Sequence, residues 1–400
     1  MPNPTLPLAG LRVLAVEQYG AGPAGTVYLA DLGAEVIKIE NHLDGGDFGR
    51  DVGPHFFGPK DSQFFETFNR NKKSFTLDLK HPEGKKVFRE LVKTADAVIN
   101  NLRGDQPAKL AITHEDLKAV NPKIVCVHLS AYGREGSRAA WPGYDYLMQA
   151  ETGLMALTGD PESPPAKFGV SIIDLMTGLA ASYALLAGVT SARATGRGRD
   201  LDTSLFDLAL YSLNYPGTWY LNGGHLTGRV SRSGHPSLVP SELYKTEDGW
   251  IMIMCNKEKF WGVLADALGK PEWKDDPTLN TFTMRLANRE RVRDLLDEAL
   301  STHTTAHWVQ HLGGTVPVAP VYDVKEALDS GYVRERGDIV EFSAPDGRKA
   351  NMLAGPIRLP GVELPKNMAP ALGADTEELL RELGYDDEGI EALRKQRVIQ

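Results

Sequence analysis

The sequence predicts an α/β protein: an N-terminal domain built on a parallel sheet, then a second unit of strands and helices. Three observations predict it. From Leu11 to about Ser130 short β-rich runs alternate with helical stretches, the pattern of βαβ units. A 400-residue chain with 42% hydrophobic residues can bury a sizeable core, and its length favours roughly two or three domains. The texture then changes near GGHLTGRVSRSGHPS, a Gly/Ser/Arg-rich stretch that reads as a loop or linker, and a second set of elements follows.

LRVLAVE is the first strand, TVYLADLG a helix, EVIKIE a second strand and, after an insert, SFTLDL a third. A helix over HPEGKKVFRELVKTA leads to strand DAVINNL. Thr113 opens the next helix with Asp116 three residues on, a capping pair, before strand KIVCVHLS. Residues 174–193 are apolar nearly all round and predict a helix buried on most faces, inside the domain or a subunit interface. Arg197 in TGRGRD begins an apparent strand and reads as a sheet-edge or interface ion pair. In the second part, SELYKTEDGWIMIMC predicts a hairpin turning at Asp248-Gly249, and KFWGVLADALG and ANRERVRDLLDEAL predict amphipathic helices. A helix around KEALDS, strands DIVEFS and GPIRL, and a charged helical tail from DTEELL close the chain.

Composition excludes several classes of partner. The net charge of -9 with scattered Lys and Arg leaves no footprint for nucleic acid or an anionic membrane, so an anionic ligand must be held locally. Cys126 and Cys255 sit in apolar runs with no partner at metal-ligand spacing, which predicts buried free thiols in a reducing compartment and no metal site. MPNPTLPLAGLRVL has no basic region ahead of a long apolar segment, and no run of about 18 apolar residues follows. The expectation is a soluble cytoplasmic protein.

Gly20, Gly22 and Gly25 spell G-x-G-x-x-G, with Glu40 twenty residues after the first glycine. A dinucleotide fold runs its strand almost directly into the first glycine, but here Glu17, Gln18 and Tyr19 intervene, and Pro23 removes an N–H that would face phosphate. The plainer reading is a strand-to-helix turn whose helix N-terminus can still take a phosphate-bearing ligand.

Several stretches together carry a resemblance: LAGLRVL with AGPAG and LADLGAEVIKIE, FNRNKKSFTLDLKHPEG, AYGREG, KFGVSIIDLMTGLAASYALLAG, TGRGRDLDTSLFD and PEWKDDPTLNTFTMR. From about residue 8 to the C-terminus the chain resembles the family III coenzyme A transferases, the group that includes formyl-CoA transferase, L-carnitine CoA-transferases and the related α-methylacyl-CoA racemases. The resemblance implies a Rossmann-like CoA-binding domain without nicotinamide and an interlocked homodimer. It also implies a division into residues 1–222, a small domain at 223–325 with flanking linkers, and a segment 326–400 that returns to the large domain.

In the resemblance Asp174 of IIDLMTG takes the place of the family's nucleophilic aspartate. Moving CoA between acids needs a carboxylate that can form an acyl anhydride and release CoA as thiolate. At the start of a helix the dipole would favour its charge and keep it ionised at neutral pH; on residues alone, an N-cap is the commoner role. The implied cycle passes from an aspartyl anhydride to an aspartyl-CoA thioester and back. Its oxyanions need backbone donors, for which Ser233-Gly234-His235 is the candidate. Formyl-CoA transferase has a longer glycine run there, a glutamine where this chain has Gly20 and an arginine where it has Asn41, so a different acyl pocket is expected.

Tyr144 stands where the racemases carry a histidine, which removes one partner of a two-base exchange and favours the transferase branch. Tyr144 and Asp145 match polar positions of the transferase site and read equally well as helix N-terminal residues. For the phosphates of CoA the candidates are Lys72, Lys73, Arg103 and Lys109, with Asn101 beside them and Gly20 and Gly22 at the turn. His235 could orient an acyl carboxylate. The expected substrates are acyl-CoA, with succinyl-CoA or a similar thioester as donor, and a small carboxylic acid, with no tightly bound cofactor. A racemase-like enzyme and a non-catalytic CoA-binding paralogue are the alternatives.

Overall fold

The computed structural model describes residues 5–400; residues 1–4, the start of the N-terminal stretch read above, lie outside the described residues. Six strands form one parallel sheet: β1 (Arg12–Val16), β2 (Glu35–Glu40), β3 (Lys73–Thr76), β4 (Ala97–Asn100), β5 (Val125–Ser130) and β6 (Asp200–Ser204). Their order is β3-β2-β1-β4-β5-β6, and every neighbouring pair runs parallel. RVLAV, EVIKIE, AVIN and VCVHLS are near-continuous apolar runs because a parallel sheet is covered on both faces. The order reverses between β1 and β4, so a crevice opens beyond their carboxyl ends.

On one face Leu14, Ile37, Phe75, Val98 and Cys126 pack against Val87, Phe88 and Leu91 of helix Pro82–Thr94 and against Leu379, Leu380, Ile390 and Leu393 of the last two helices. The other face carries α1 (Ala21–Asp31) and α2 (Ile172–Thr195), a long helix that packs on α1. A Cβ at Gly25 would lie 2.3 Å from the carbonyl oxygen of Gly178, and one at Gly178 would lie 2.3 Å from that of Ala21. Only glycines let the two backbones meet this closely, which fixes the start of α2 against the start of α1.

The second unit comprises Gly153–Phe168 and Leu213–Arg336; the first comprises the rest of the described chain, Gly169–Ser212 and Gly337–Gln400 included. The boundaries differ from those read at 222 and 325. Residues 153–168 and helix Asn214–Gly223 group with the second unit, because packing sets a boundary whereas texture changes only at the exposed loop beyond that helix. Within the second unit the expected hairpin forms between Ser241–Lys245 and Trp250–Met254, closed by the Thr246 N–H on the Gly249 carbonyl at 3.1 Å. Val318–Pro320 adds a third antiparallel strand. The amphipathic helices Glu258–Ala267 and Arg289–Leu300 supply Trp261, Leu264, Val292 and Leu296 to its core.

One expected feature differs in the structure. GPIRL forms no strand; Ile339–Ser343 pairs instead with Lys349–Leu353 across a turn at Asp346-Gly347, where Gly347 has φ +90°. The immediate turn selects the nearer partner, and Pro356 has no N–H for a ladder. Along helix α2, Met176, Leu179 and Tyr183 form an exposed apolar line. By length and composition it could cross a membrane, and half of its apolar window is buried inside the protein. Cys126 and Cys255 are free, buried thiols. The capping box at Thr113 and Asp116 is present.

Candidate active site

The site is built where three strand ends meet. Residues following β1 (Gln18, Tyr19), β4 (Asn101, Arg103) and β5 (Ala131) line a cavity of about 700 Å³ that also holds Asp174, Gly20, Tyr144 and Phe48. A smaller cavity of about 260 Å³ shares Gln18, Leu102 and Gln106 with it and extends past Glu40, Asn41 and Lys80 beyond β2 and β3. Both open at the strand-order reversal, where an open α/β sheet presents its ligand crevice.

Asp174 is the third residue of α2 and is only 7% exposed. It does not cap the helix. The cap comes from Asp145, whose Oδ2 accepts the N–H groups of Ile173 (2.6 Å) and Asp174 (3.0 Å). Asp145 is itself buried and its Oδ1 accepts the amide of Gln149 at 2.5 Å. Its neighbour Tyr144 precedes helix Asp145–Glu151, makes no side-chain capping bond, and stays exposed in the cavity wall. Burial first, and the Asp145 charge second, push the Asp174 carboxyl up to about 7. The expectation that the helix dipole keeps it fully ionised is therefore corrected: the leading N–H groups are already taken by another carboxylate, which leaves its repulsion in place.

Gly20 explains how Asp174 is approached. A Cβ there would stand 2.5 Å from Asp174 Oδ2, so only glycine lets the turn pass beside the carboxylate. Helix α1 starts at Ala21 with no side-chain cap, leaving the first backbone N–H groups of the helix without intrahelical partners beside the cavity. Asn101 clamps this turn, its Oδ1 accepting the Gln18 N–H (2.9 Å) and its amide donating to the Gln18 carbonyl (2.7 Å). A Cβ at Gly22 would meet Asn101 Cγ at 2.9 Å, so Gly22 makes room for that clamp.

The basic candidates separate. Arg103 lines the cavity, half exposed, with Asp105 at 3.4 Å. Lys109 is exposed and bound to Asp105 at 2.5 Å, while its neighbours Gln106 and Leu110 line the smaller cavity. Lys72 is no phosphate ligand. It is completely buried against Glu17 (2.8 Å), the Pro23 carbonyl (3.1 Å) and Asn69 (3.2 Å), and burial lowers its ammonium to about 8. Successive residues of an extended chain face opposite ways, so Lys72 turns inward while Lys73 reaches Glu35 and Glu378 at the surface. Arg197 lies in the turn before β6, its N–H on Thr195 Oγ1 at 3.3 Å.

Gly234 and His235 belong to the second unit, and their groups are used within it. The Gly234 N–H donates to the Ser231 carbonyl (3.2 Å), and the His235 N–H to the Ser241 carbonyl (2.8 Å). His235 Nδ1 accepts the N–H groups of Ser237 and Leu238, and its ring stacks on Tyr215 at 5.9 Å. The N–H groups of Gly234 and His235 are thus taken by carbonyls of their own unit. Burial lowers the His235 ring below the usual imidazole range.

Sequence reasoning misses Tyr19, Phe48 and Ser130 in the cavity wall. For Tyr19 a signal exists: it is one of the three residues inserted between β1 and the glycines.

The CoA-transferase family III model matches residues 8–376. The chain is 33% identical to the succinate–glutarate CoA-transferase of Agrobacterium fabrum, covering 96% of this chain and 97% of that one. It is 32% identical to the succinyl-CoA:glutarate CoA-transferase of Mus musculus, covering 98% and 90%. A CAIB/BAIF family protein from Brucella suis has a similar structure, with TM-score 0.80, 31% identity and coverage of 94% and 99%.

Proposed function

The chain belongs to CoA-transferase family III, and from that premise we propose that it moves coenzyme A from succinyl-CoA to a short dicarboxylic acid through covalent intermediates on Asp174. The names of the relatives supply the donor and the acid class. The observation that carries the covalent reading is the Asp174 carboxylate in the cavity at the carboxyl ends of β1, β4 and β5, held against the Gly20 turn.

The ionised Asp174 attacks the thioester carbonyl carbon, the C–S bond breaks, and CoA leaves as thiolate with the bonding pair. The mixed anhydride is then attacked by that thiolate at the Asp174 carbonyl, which releases succinate and leaves an aspartyl-CoA thioester. The acceptor carboxylate displaces the thiolate to form a second anhydride, and the thiolate attacks the acceptor carbonyl to free both the new thioester and Asp174. Each attack develops an oxyanion, and the uncapped start of α1 supplies N–H donors beside it. The raised Asp174 carboxyl suits a nucleophile. Near neutrality it is part ionised, and as a carboxylate disfavoured by burial and by Asp145 it is poorly stabilised and reactive.

The nucleotide lies in the Rossmann-like crevice, with the smaller cavity for the adenosine end and Arg103 facing its anionic linker. No cofactor beyond the thioester substrate is required. The exposed apolar line of α2, with Tyr183 76% exposed, and Tyr211 at the end of helix Leu205–Tyr211, 84% exposed, support an interlocked homodimer that covers them. A racemase reading has less support, since no histidine is among the residues lining the cavity. The test is to supply succinyl-CoA with short dicarboxylates and follow the CoA esters by mass spectrometry. New acceptor-CoA supports the reading; α-hydrogen exchange without transfer overturns it.

A further inference from the structure

Tyr19 occupies a position that ordinarily belongs to glycine or asparagine. Its φ is +66°, in the left-handed region, at the turn between β1 and α1. For a residue with a bulky side chain that conformation is strained, and such strain persists where the surroundings enforce it. Here they do. The Tyr19 N–H donates to Asp47 Oδ1 at 2.8 Å; Asp47 Oδ2 pairs with Lys38 at 2.7 Å, both side chains completely buried; and Lys38 also donates to the Glu17 carbonyl at 3.0 Å. The ring is backed by Phe48 (5.9 Å, stacked) and Phe64 (5.0 Å), and Tyr19 and Phe48 both line the cavity that holds Asp174. Burial and the nearby Asp174 charge both push the Tyr19 phenol up, in keeping with a ring beside that carboxylate.

A turn that only had to change direction would hold glycine here without strain. The tyrosine is therefore explained by its ring, which lines the cavity that holds Asp174. We propose that Tyr19 is a specificity-determining residue whose ring, supported by Phe48, limits the length of the acid that can reach Asp174. This rests on the placement of the acyl group at Asp174 in the proposed function.

The experiment compares wild type with Tyr19→Phe, Tyr19→Gly and Tyr19→Asn on linear dicarboxylic acceptors of two to eight carbons, with succinyl-CoA as donor. Glycine and asparagine both accept the left-handed backbone, so the turn survives, and the asparagine variant carries the reading if the glycine variant fails to fold. A methylene fitted or refused by an apolar wall changes kcat/KM by roughly 10–200-fold. The expected result is a ratio of eight-carbon to shortest-acid kcat/KM that rises at least about 10-fold in Tyr19→Gly and Tyr19→Asn and is unchanged in Tyr19→Phe. A ratio that stays near the wild-type value, because all acids fall together or because wild type shows no length limit, overturns the proposal. The ratio is read on the thioester product, so a shifted ratio with no acyl adduct on Asp174 would reject the covalent reading while retaining the role of Tyr19.

Discussion

Replacing Asp174 with asparagine will make the unliganded protein more stable while abolishing transfer. The carboxyl is moved from 3.8 to about 7 by burial and by Asp145. That difference of ~3 in pKa, at about 1.4 kcal/mol for each tenfold step, sets a ceiling of about 4 kcal/mol on the penalty carried by the ionised form. Asparagine keeps the shape but leaves a buried amide to be satisfied, so the expected net gain is about 1–3 kcal/mol. The sign follows from proton binding. Between pH 3.8 and about 7 the folded state holds the Asp174 proton more tightly than the unfolded state, so wild-type stability falls as pH rises through that window, and the penalty is complete above it. The Asp174→Asn gain is therefore absent near pH 4 and fully developed near pH 8. Thermal or urea unfolding of both proteins at several pH values measures it, with about 1–2 °C expected per kcal/mol. A variant no more stable than wild type at pH 8, or a gain that does not grow with pH, would refute the electrostatic account of the site.

Transfer should rise about tenfold per pH unit below about 7 and level off above it, as a single carboxyl ionises, which a kcat/KM profile reads. Gly20→Ala places a methyl 2.5 Å from Asp174 Oδ2 and should lower kcat by about 10²-fold or more with little loss of folding, checked by steady-state rates beside circular dichroism. Lys72→Met leaves Glu17 without its 2.8 Å partner and should cost about 3–5 kcal/mol in urea unfolding. Arg103→Gln, by contrast, should raise KM for acyl-CoA and weaken its salt dependence without moving the unfolding midpoint.

What could be read from the sequence was what local physics determines. Parallel strands buried on both faces are continuous apolar runs, so RVLAV, EVIKIE and VCVHLS announced themselves, and the Thr113 capping box needs only residues three apart. Asp174 and Tyr144 are placed by resemblance and Asn101 by the needs of a phosphate-bearing ligand, and the fold brings them to one cavity. The rest depends on contacts far apart in the chain. The residue that caps α2 is Asp145, 28 positions before Ile173, so no local pattern shows that the helix start is already occupied. Lys72 and Lys73 are neighbours with opposite fates because an extended chain alternates faces, and nothing in NRNKKS says which faces inward. Tyr19 shows in the sequence only as one of the three residues inserted before the glycines; its left-handed backbone contradicts local preference and is maintained by Asp47, 28 residues away.

The most direct test of the central claim is to incubate the protein with succinyl-CoA, add hydroxylamine, and examine the peptide containing Asp174 by mass spectrometry. Hydroxylamine converts an aspartyl anhydride or thioester to a hydroxamate. The account predicts a hydroxamate on Asp174 that appears only with acyl-CoA and is absent from Gly20→Ala when its transfer is lost. An unmodified Asp174 during ongoing transfer would contradict it.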